Sequence, residues 1–278
     1  MESTYRTRAR FNLLIEFLLI GGSLLIVYPF INLVLSSFKK KQELFNPISW
    51  PSSVYLGNYA EVFKRVNIIE AFGNTVYICL LTLVLIVIFS SMAGYVISRE
   101  GKGMYQWILY FFVSGFLIPF QTSMVTLYKL AVWTHLMDTM TWLVLTYAAG
   151  SIPFALLIYV GFTKSIPREL EEAAIMDGCS QFRMFWKIIF PLLMPATGTV
   201  VAMTIMWYWN DLIGPVLFIN DKHKLTLVAL VNVFRGEHTT DWGPIFALCV
   251  LSSLPLVILF FFTQKYFLQG LIQGAVKG

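Results

Sequence analysis

The run Glu171-Glu172-Ala173-Ala174-Ile175-Met176-Asp177-Gly178 concentrates acids, small residues and a glycine in one short stretch. Its residue types suit either a docking surface or an ordinary amphipathic connector between apolar segments. Small side chains let a helix enter a cleft, an acid orients against a basic or polar partner, and glycine closes a tight turn. A second cluster, Trp207-Tyr208-Trp209-Asn210-Asp211, sits inside an apolar run. Aromatic faces stack on the C–H faces of a sugar, and an amide and a carboxylate bind hydroxyls. The same five residues also suit a polar packing knot between helices. Both readings stand at this point. Glu16, near the start of the first apolar run, reads as an acid reaching back to headgroups.

Other chemistries lack their residues. Gly101-Lys102-Gly103 resembles a phosphate loop only superficially, since position 96 is not glycine and no Ser or Thr follows Lys102. His135, His223 and His238 have no helical pairing and no nearby cysteine, so no metal site is expected. Cys79 and Cys249 lie in apolar runs and Cys179 in a polar loop, so no disulfide is expected. No Ser/His or paired-Asp constellation points to hydrolysis, and no catalytic residue is assigned.

The elements that hold these clusters follow from composition. The chain has 278 residues, is 58% hydrophobic and 13% charged, and has mean hydropathy +0.72. Soluble domains run near ~25% charged, so lipid must cover much of this surface. Apolar segments near 14–37, 72–98, 105–128, 141–163, 194–219 and 243–266 each approach the ~20 residues that cross a bilayer. They are long and continuously apolar rather than alternating, which predicts helices and not strands. The expected fold class is an all-α membrane protein of six transmembrane helices, with residues 1–278 forming one transmembrane domain. The first apolar run follows Arg6, Arg8 and Arg10 but is long enough to span and has no cleavage site, so it reads as a retained span.

The net charge of +5 lies in loops and ends between apolar runs, which suits topology and lipid headgroups better than nucleic acid. With a cytoplasmic N-terminus, Lys and Arg divide as eleven inside and nine outside, and Lys39-Lys40-Lys41 leans the other way. Charge alone does not orient the chain. The outside loops near 38–71 and 220–242 are long enough to suggest contact with another protein. The second carries Asp221, Lys222, His223, Lys224, Arg235, Glu237, His238 and Asp241.

The segment 164–191 has the logic of two short helices. Ser165 can cap the first and Pro167 suits its first turn. Glu169, Glu171 and Glu172 then lie near the positive end of its dipole. Gly178 supplies the break, and Ser180 can cap a second helix over 181–189 that Pro191 ends. The result is an elbow projecting from the membrane.

Glu172-Ala173-Ala174-x-x-Asp177-Gly178, followed by Ile189-Phe190-Pro191 and Pro195, resembles the EAA loop of ABC importer permeases in order and spacing. Phe190 stands where that pattern usually has Leu, and Cys179 where it often has Ala. Trp209-Asn210-Asp211 with Gly214-Pro215, the ending Gly270-Leu271-x-x-Gly274-Ala275-Val276-Lys277-Gly278 and, more weakly, Asn58-Tyr59 are similar to carbohydrate-type permeases, notably the six-span subunit of maltose-type transporters. The resemblance covers essentially the full chain. It implies a type I ABC importer permease fold with a cytoplasmic coupling loop over 164–191. It also implies that Glu171, Glu172, Ala173, Ala174, Met176, Asp177 and Gly178 couple to an ATPase. The implied machine has a second, different permease subunit, two ABC ATPase subunits, an extracytoplasmic solute-binding protein and a sugar substrate. ATP and Mg would bind the ATPases, with no cofactor on this chain. The implied location is a bacterial or archaeal cytoplasmic membrane with both termini inside. The rivals are an ABC permease for another solute, such as glycerol phosphate or a polyamine, and an ATP-independent secondary transporter.

Overall fold

The computed structural model describes the backbone of residues 2–236 and 240–275, and the side chains of Asn12, 15–236 and 240–261. Glu237 and His238, and the side chains of Arg6, Arg8, Arg10 and the glycine-rich ending, therefore lie outside what is described. In chain order the helices are α1 (Glu2–Ser37), α2 (Gly57–Arg65), α3 (Ile68–Glu100), α4 (Met104–Phe116), α5 (Phe120–Trp133) and α6 (Met140–Lys164). There follow α7 (Glu169–Met176), α8 (Gln181–Leu192), α9 (Met194–Trp209), α10 (Ile213–Phe218) and α11 (Trp242–Ala275).

By length and composition, α1, α3, α6 and α11 can each cross a bilayer unbroken. The count reaches six only if two bent pairs each make one span: α4 with α5, bent by 98°, and α8 with α9, bent by 71°. The expected span over 105–128 is thus a bent pair of helices. The amides of Leu117 and Ile118 bond back to Ser114 and Gly115 in a tightened turn. Pro119 has no N–H to continue the ladder and disfavours helical geometry at Ile118, so a new helix starts at Phe120. The expected helix over 194–219 stops at Trp209, three residues short of α10.

The chain forms two compact units. One comprises residues 1–66 and 231–254. In it, Asn58 Nδ2 donates to the carbonyls of Ser37 and Lys39, both at 2.8 Å, fixing the loop after α1 against α2. Lys39 is 0% exposed, and its ammonium donates to the carbonyls of Asn46 and Pro47 at 3.2 and 3.0 Å. One lysine of the cluster that unbalanced the charge count is therefore an internal clamp. Arg65 bonds Glu61 at 2.6 Å and Asp241 at 3.1 Å and lies over the Phe234 ring.

The other unit comprises residues 67–230 and 255–278 and holds both candidate clusters. Asn67 caps α3 by accepting from the Glu70 amide, and Thr139 caps α6 by accepting from the Trp142 amide. A Cβ on Gly94 would stand 2.7 Å from the Cβ of Tyr159, so glycine is what lets α3 and α6 close. Small residues at helix contacts are how membrane helices approach when lipid supplies no hydrophobic drive. Gly101, the glycine of the false phosphate loop, ends α3 with its amide on the Ile97 carbonyl.

Candidate functional site

The elbow is built as a short helix held at both ends. Ser165 closes α6 rather than opening α7: its hydroxyl donates to the Phe162 carbonyl at 2.7 Å. The expected cap fails because the Ser165 amide and hydroxyl both bond back to the Phe162 carbonyl at the end of α6, and three residues still separate Ser165 from the first residue of α7. At the far end Gly178 has φ +73, and its amide bonds the Ile175 carbonyl at 2.9 Å. Only glycine takes that angle cheaply. Ser180 then caps α8 by accepting from the Arg183 amide.

Pro191 lies within α8 instead of ending it. A π turn over Phe185–Ile189 changes the bonding register just before the proline, so its missing N–H interrupts nothing. The chain bends at Leu193, whose amide reaches the carbonyls of Ile189 and Phe190. Beneath the elbow Ile166, Ala174, Phe185, Ile189 and Leu193 pack in one buried cluster. Each fully buried large side chain of this kind contributes about 1.5–3 kcal/mol where the alternative is water.

This cushion decides which elbow residues face outward. Met176 is 87% exposed, and Glu172, Ala173, Ile175, Asp177 and Gly178 are also exposed. Leu170 and Phe182 extend the exposed apolar area. Two residues assigned to the docking face are not on it. Ala174 is 5% exposed and belongs to the cushion. Glu171 turns toward the chain's own Arg99, with Arg99 Nε 2.6 Å and Nη2 2.5 Å from its Oε1, while the Tyr95 hydroxyl donates to Oε2 at 2.9 Å. Both charged side chains are 12% exposed. Removing one partner of a pair so deeply placed costs about 3–5 kcal/mol, although the intact pair adds little net stability.

The second cluster also divides. Asp211 is not in mid-helix. It occupies the break between α9 and α10, where its carboxylate accepts from the amides of Ile213 at 3.0 Å and Gly214 at 3.1 Å. The helix stops there because an aspartate side chain competes for backbone donors and caps the next helix. The Tyr147 hydroxyl donates to the same carboxylate at 2.6 Å. Tyr208 stacks on Tyr147 at 4.0 Å, donates to the Tyr147 carbonyl and bonds Ser151 at 2.6 Å. Asp211 and Tyr208 thus tie α6 to the α9–α10 break, as a polar knot would.

The knot forms one wall of a cavity of about 650 Å³. Trp207, Tyr208 and Asp211 line it together with Tyr147, Gly150 and Ser151 of α6, and Phe116, Pro119 and Phe120 at the α4–α5 break. Trp209 is not among its lining residues; it is buried with its ring edge toward Phe72. Asn210 is also absent from the lining and bonds the Met206 carbonyl at 2.9 Å. Pro153 deprives the Ala149 carbonyl of its helical donor, and Ala149 faces this cavity.

Outside the apolar helices the loop 219–225 is tied down. Asp138 accepts from the amides of Asn220 and Asp221 and from Lys224. The Asp221 amide is the main reason its carboxyl lies below the usual range. Glu70 beside His223 raises that imidazole above its ordinary value.

Sequence reasoning missed Arg99, Tyr95, Tyr147 and Ser151. Tyr95 and Arg99 are four apart at the end of an apolar helix, which sets them on one face. That spacing was readable, but the carboxylate they meet is distant in sequence.

These features define a multi-span membrane permease with broken helices and a docking elbow. The family described as "Binding-protein-dependent transport system inner membrane component" matches residues 57–273, and the chain belongs to it. It is 39% identical over 95% of its length to the probable starch degradation products transport system permease protein of Thermoanaerobacterium thermosulfurigenes, covering 96% of that protein. It is 33% identical to the melibiose/raffinose/stachyose import permease protein of Bacillus subtilis, across 90% of this chain and 91% of that one. A chain from the crystal structure of a bacterial ABC transporter involved in the import of the acidic polysaccharide alginate shares the fold: TM-score 0.81, 20% identity, 94% of this chain and 98% of that one.

Proposed function

We propose that this permease is one half of the membrane pathway of an ATP-driven carbohydrate importer, and that ATPase motion enters through the exposed face of α7. The observation that carries the reading is that face: Glu172, Ala173, Met176 and Asp177 project to the outside on a helix that ends at a glycine turn. Nothing within the chain's described residues needs those side chains there. A helix of acids, small residues and an exposed methionine suits insertion into a cleft on another protein. The carbohydrate assignment draws on the substrates that the relatives' names give, which include starch degradation products and the melibiose, raffinose and stachyose group.

In this reading a second permease completes the pathway, two ATPase subunits bind ATP and Mg, and an extracytoplasmic binding protein delivers the sugar. This chain holds no nucleotide and no cofactor. The elbow and both termini are cytoplasmic, the loops near 38–71 and 220–242 face outward, and lipid surrounds the helices. Closure of the ATPases pushes the elbow, and the helices broken at Pro119 and Asp211 open the wall of the cavity. The transported sugar passes Trp207 and the knot of Tyr208 and Asp211. Such a machine needs two states that differ in their ATPase contacts.

The test is purification of the tagged chain in mild detergent with mass identification of its companions. An ATPase and a second, different membrane subunit are expected. A chain that moves solute without ATP, and without those companions, overturns the reading.

A further inference from the structure

α7 joins its neighbours through two swivels. One is the turn from Ser165 to Arg168, and the other is the positive-φ turn at Gly178. Between them the buried residue of α7 is the small Ala174, seated on the apolar cushion. That contact lets a short helix rotate about the line between its ends, so that a push on one side is lost as rotation. Transmission needs a stronger attachment off that line.

The structure assigns that attachment to Arg99. We propose that Arg99, with Tyr95, is a positioning residue that locks α7 to the end of α3 so that force on the elbow reaches the membrane helices. Its guanidinium bonds Glu171 on the inward side of α7 and, through Nη2 at 3.0 Å, the Ile166 carbonyl in the first swivel. The swivel answers in kind: Arg168 Nη2 donates to the Arg99 carbonyl at 2.7 Å. Tyr95 bonds Glu171 from one turn earlier on α3, and its ring lies 5.5 Å from that of Phe185 in α8. One site on α3 therefore grips the turn before α7, α7 itself and the helix after it.

The residue types fit a lock. A planar guanidinium can hold a carboxylate and a carbonyl together in fixed directions, which a lysine ammonium on its flexible stem does not. The pair is mostly withdrawn from water, so it is screened little by salt. Such a pair contributes geometry more than stability. Glu171 and Glu172 thereby divide the work: one fixes the lever from inside and the other is presented to the partner.

The inference rests on the importer reading above. Its test compares uptake with ATP hydrolysis in the complex that co-purifies with the tagged chain, reconstituted in liposomes with its binding protein. Maltotriose and raffinose are the probes. In Arg99→Leu, uptake should fall about tenfold while ATPase activity per complex falls less than about twofold, raising the ATP used per sugar about fivefold or more. Arg99→Lys should give an intermediate rise, and Tyr95→Phe, which removes one hydrogen bond, about a twofold rise. A loss that merely tracks the amount of complex recovered, or an unchanged ratio, overturns the inference. If Arg99→Leu fails to assemble, the ratios of Arg99→Lys and Tyr95→Phe decide by the same criterion. A tagged chain that co-purifies with no ATPase and moves solute without ATP removes the importer reading and this inference with it. A coupled wild type with unchanged ratios in the variants removes the inference alone.

Discussion

The elbow at 165–193 and the break at 210–212 both interrupt apolar helices, and both carry acids, yet they hold them in opposite ways. On the elbow Glu172 and Asp177 face outward, clear of the apolar cushion beneath α7. At the break Asp211 faces inward and is surrounded by donors: two amides and the Tyr147 hydroxyl. The difference teaches how to read a polar residue in an apolar chain. A surface meant for a partner keeps its charge outside on a rigid base. A joint between membrane helices keeps its charge satisfied from within, because an unpaired polar group there is expensive.

The sharpest way to break the comparison is at Gly178. Proline is fixed near φ about −65° and lacks the amide that bonds Ile175, so Gly178→Pro cannot form the turn at φ +73. Uptake should fall at least about tenfold with normal membrane insertion; uptake assays paired with membrane fractionation check it. Next comes the break. Asp211→Ala frees the exposed Ile213 amide and leaves the donors of buried Tyr147 and Gly214 without their acceptor, at about 1–3 kcal/mol for each of those two. The yield of assembled complex should drop. Trp207→Ala removes a cavity wall without touching the knot, so the half-saturating sugar concentration should rise about fivefold at normal yield. Equal assembly losses in both variants would erase the distinction between knot and wall.

A smaller effect is expected at Glu172, which is exposed. Glu172→Ala should lower ATPase retention during purification by about two- to fivefold, the range of an exposed ion pair. Full retention would remove Glu172 from the interface. The smallest effect concerns the outer loop. The Asp138 carboxyl is held below its ordinary value, so its contribution is complete above the unfolded value of about 4. That contribution is lost as pH falls through the lower folded value. Hydrogen exchange over 219–225 should rise on acidification, and Asp138→Asn should flatten that response.

Local signals were legible in the sequence. The turn at Gly178 and the cap at Ser180 depend on residues within one turn, and the apolar runs gave the approximate place of the four unbroken spans and of the two bent pairs. What stayed hidden was decided by distant partners or by capping inside apolar runs. Glu171 and Glu172 are adjacent and chemically identical, and only Arg99, brought in from the end of α3, separates their roles. The elbow helix has no apolar period long enough to reveal that Ala174 would be its inward side. The apolar run continues over 212–219 past Asp211, so Gly214-Pro215 signals a break there without giving its exact place. Ser165 was misplaced by the same kind of ambiguity: a hydroxyl between two helices can serve either end.

The most direct test of the account places a cysteine at Met176 in a background lacking Cys79, Cys179 and Cys249, and cross-links the intact complex. The account predicts a cross-link from Met176→Cys to the co-purifying ATPase, and none from Ala174→Cys, whose position lies under the elbow. A cross-link from Met176→Cys to the extracytoplasmic binding protein would invert the orientation. No ATPase cross-link from Met176→Cys in an ATPase-containing complex would contradict the elbow as the place where force enters.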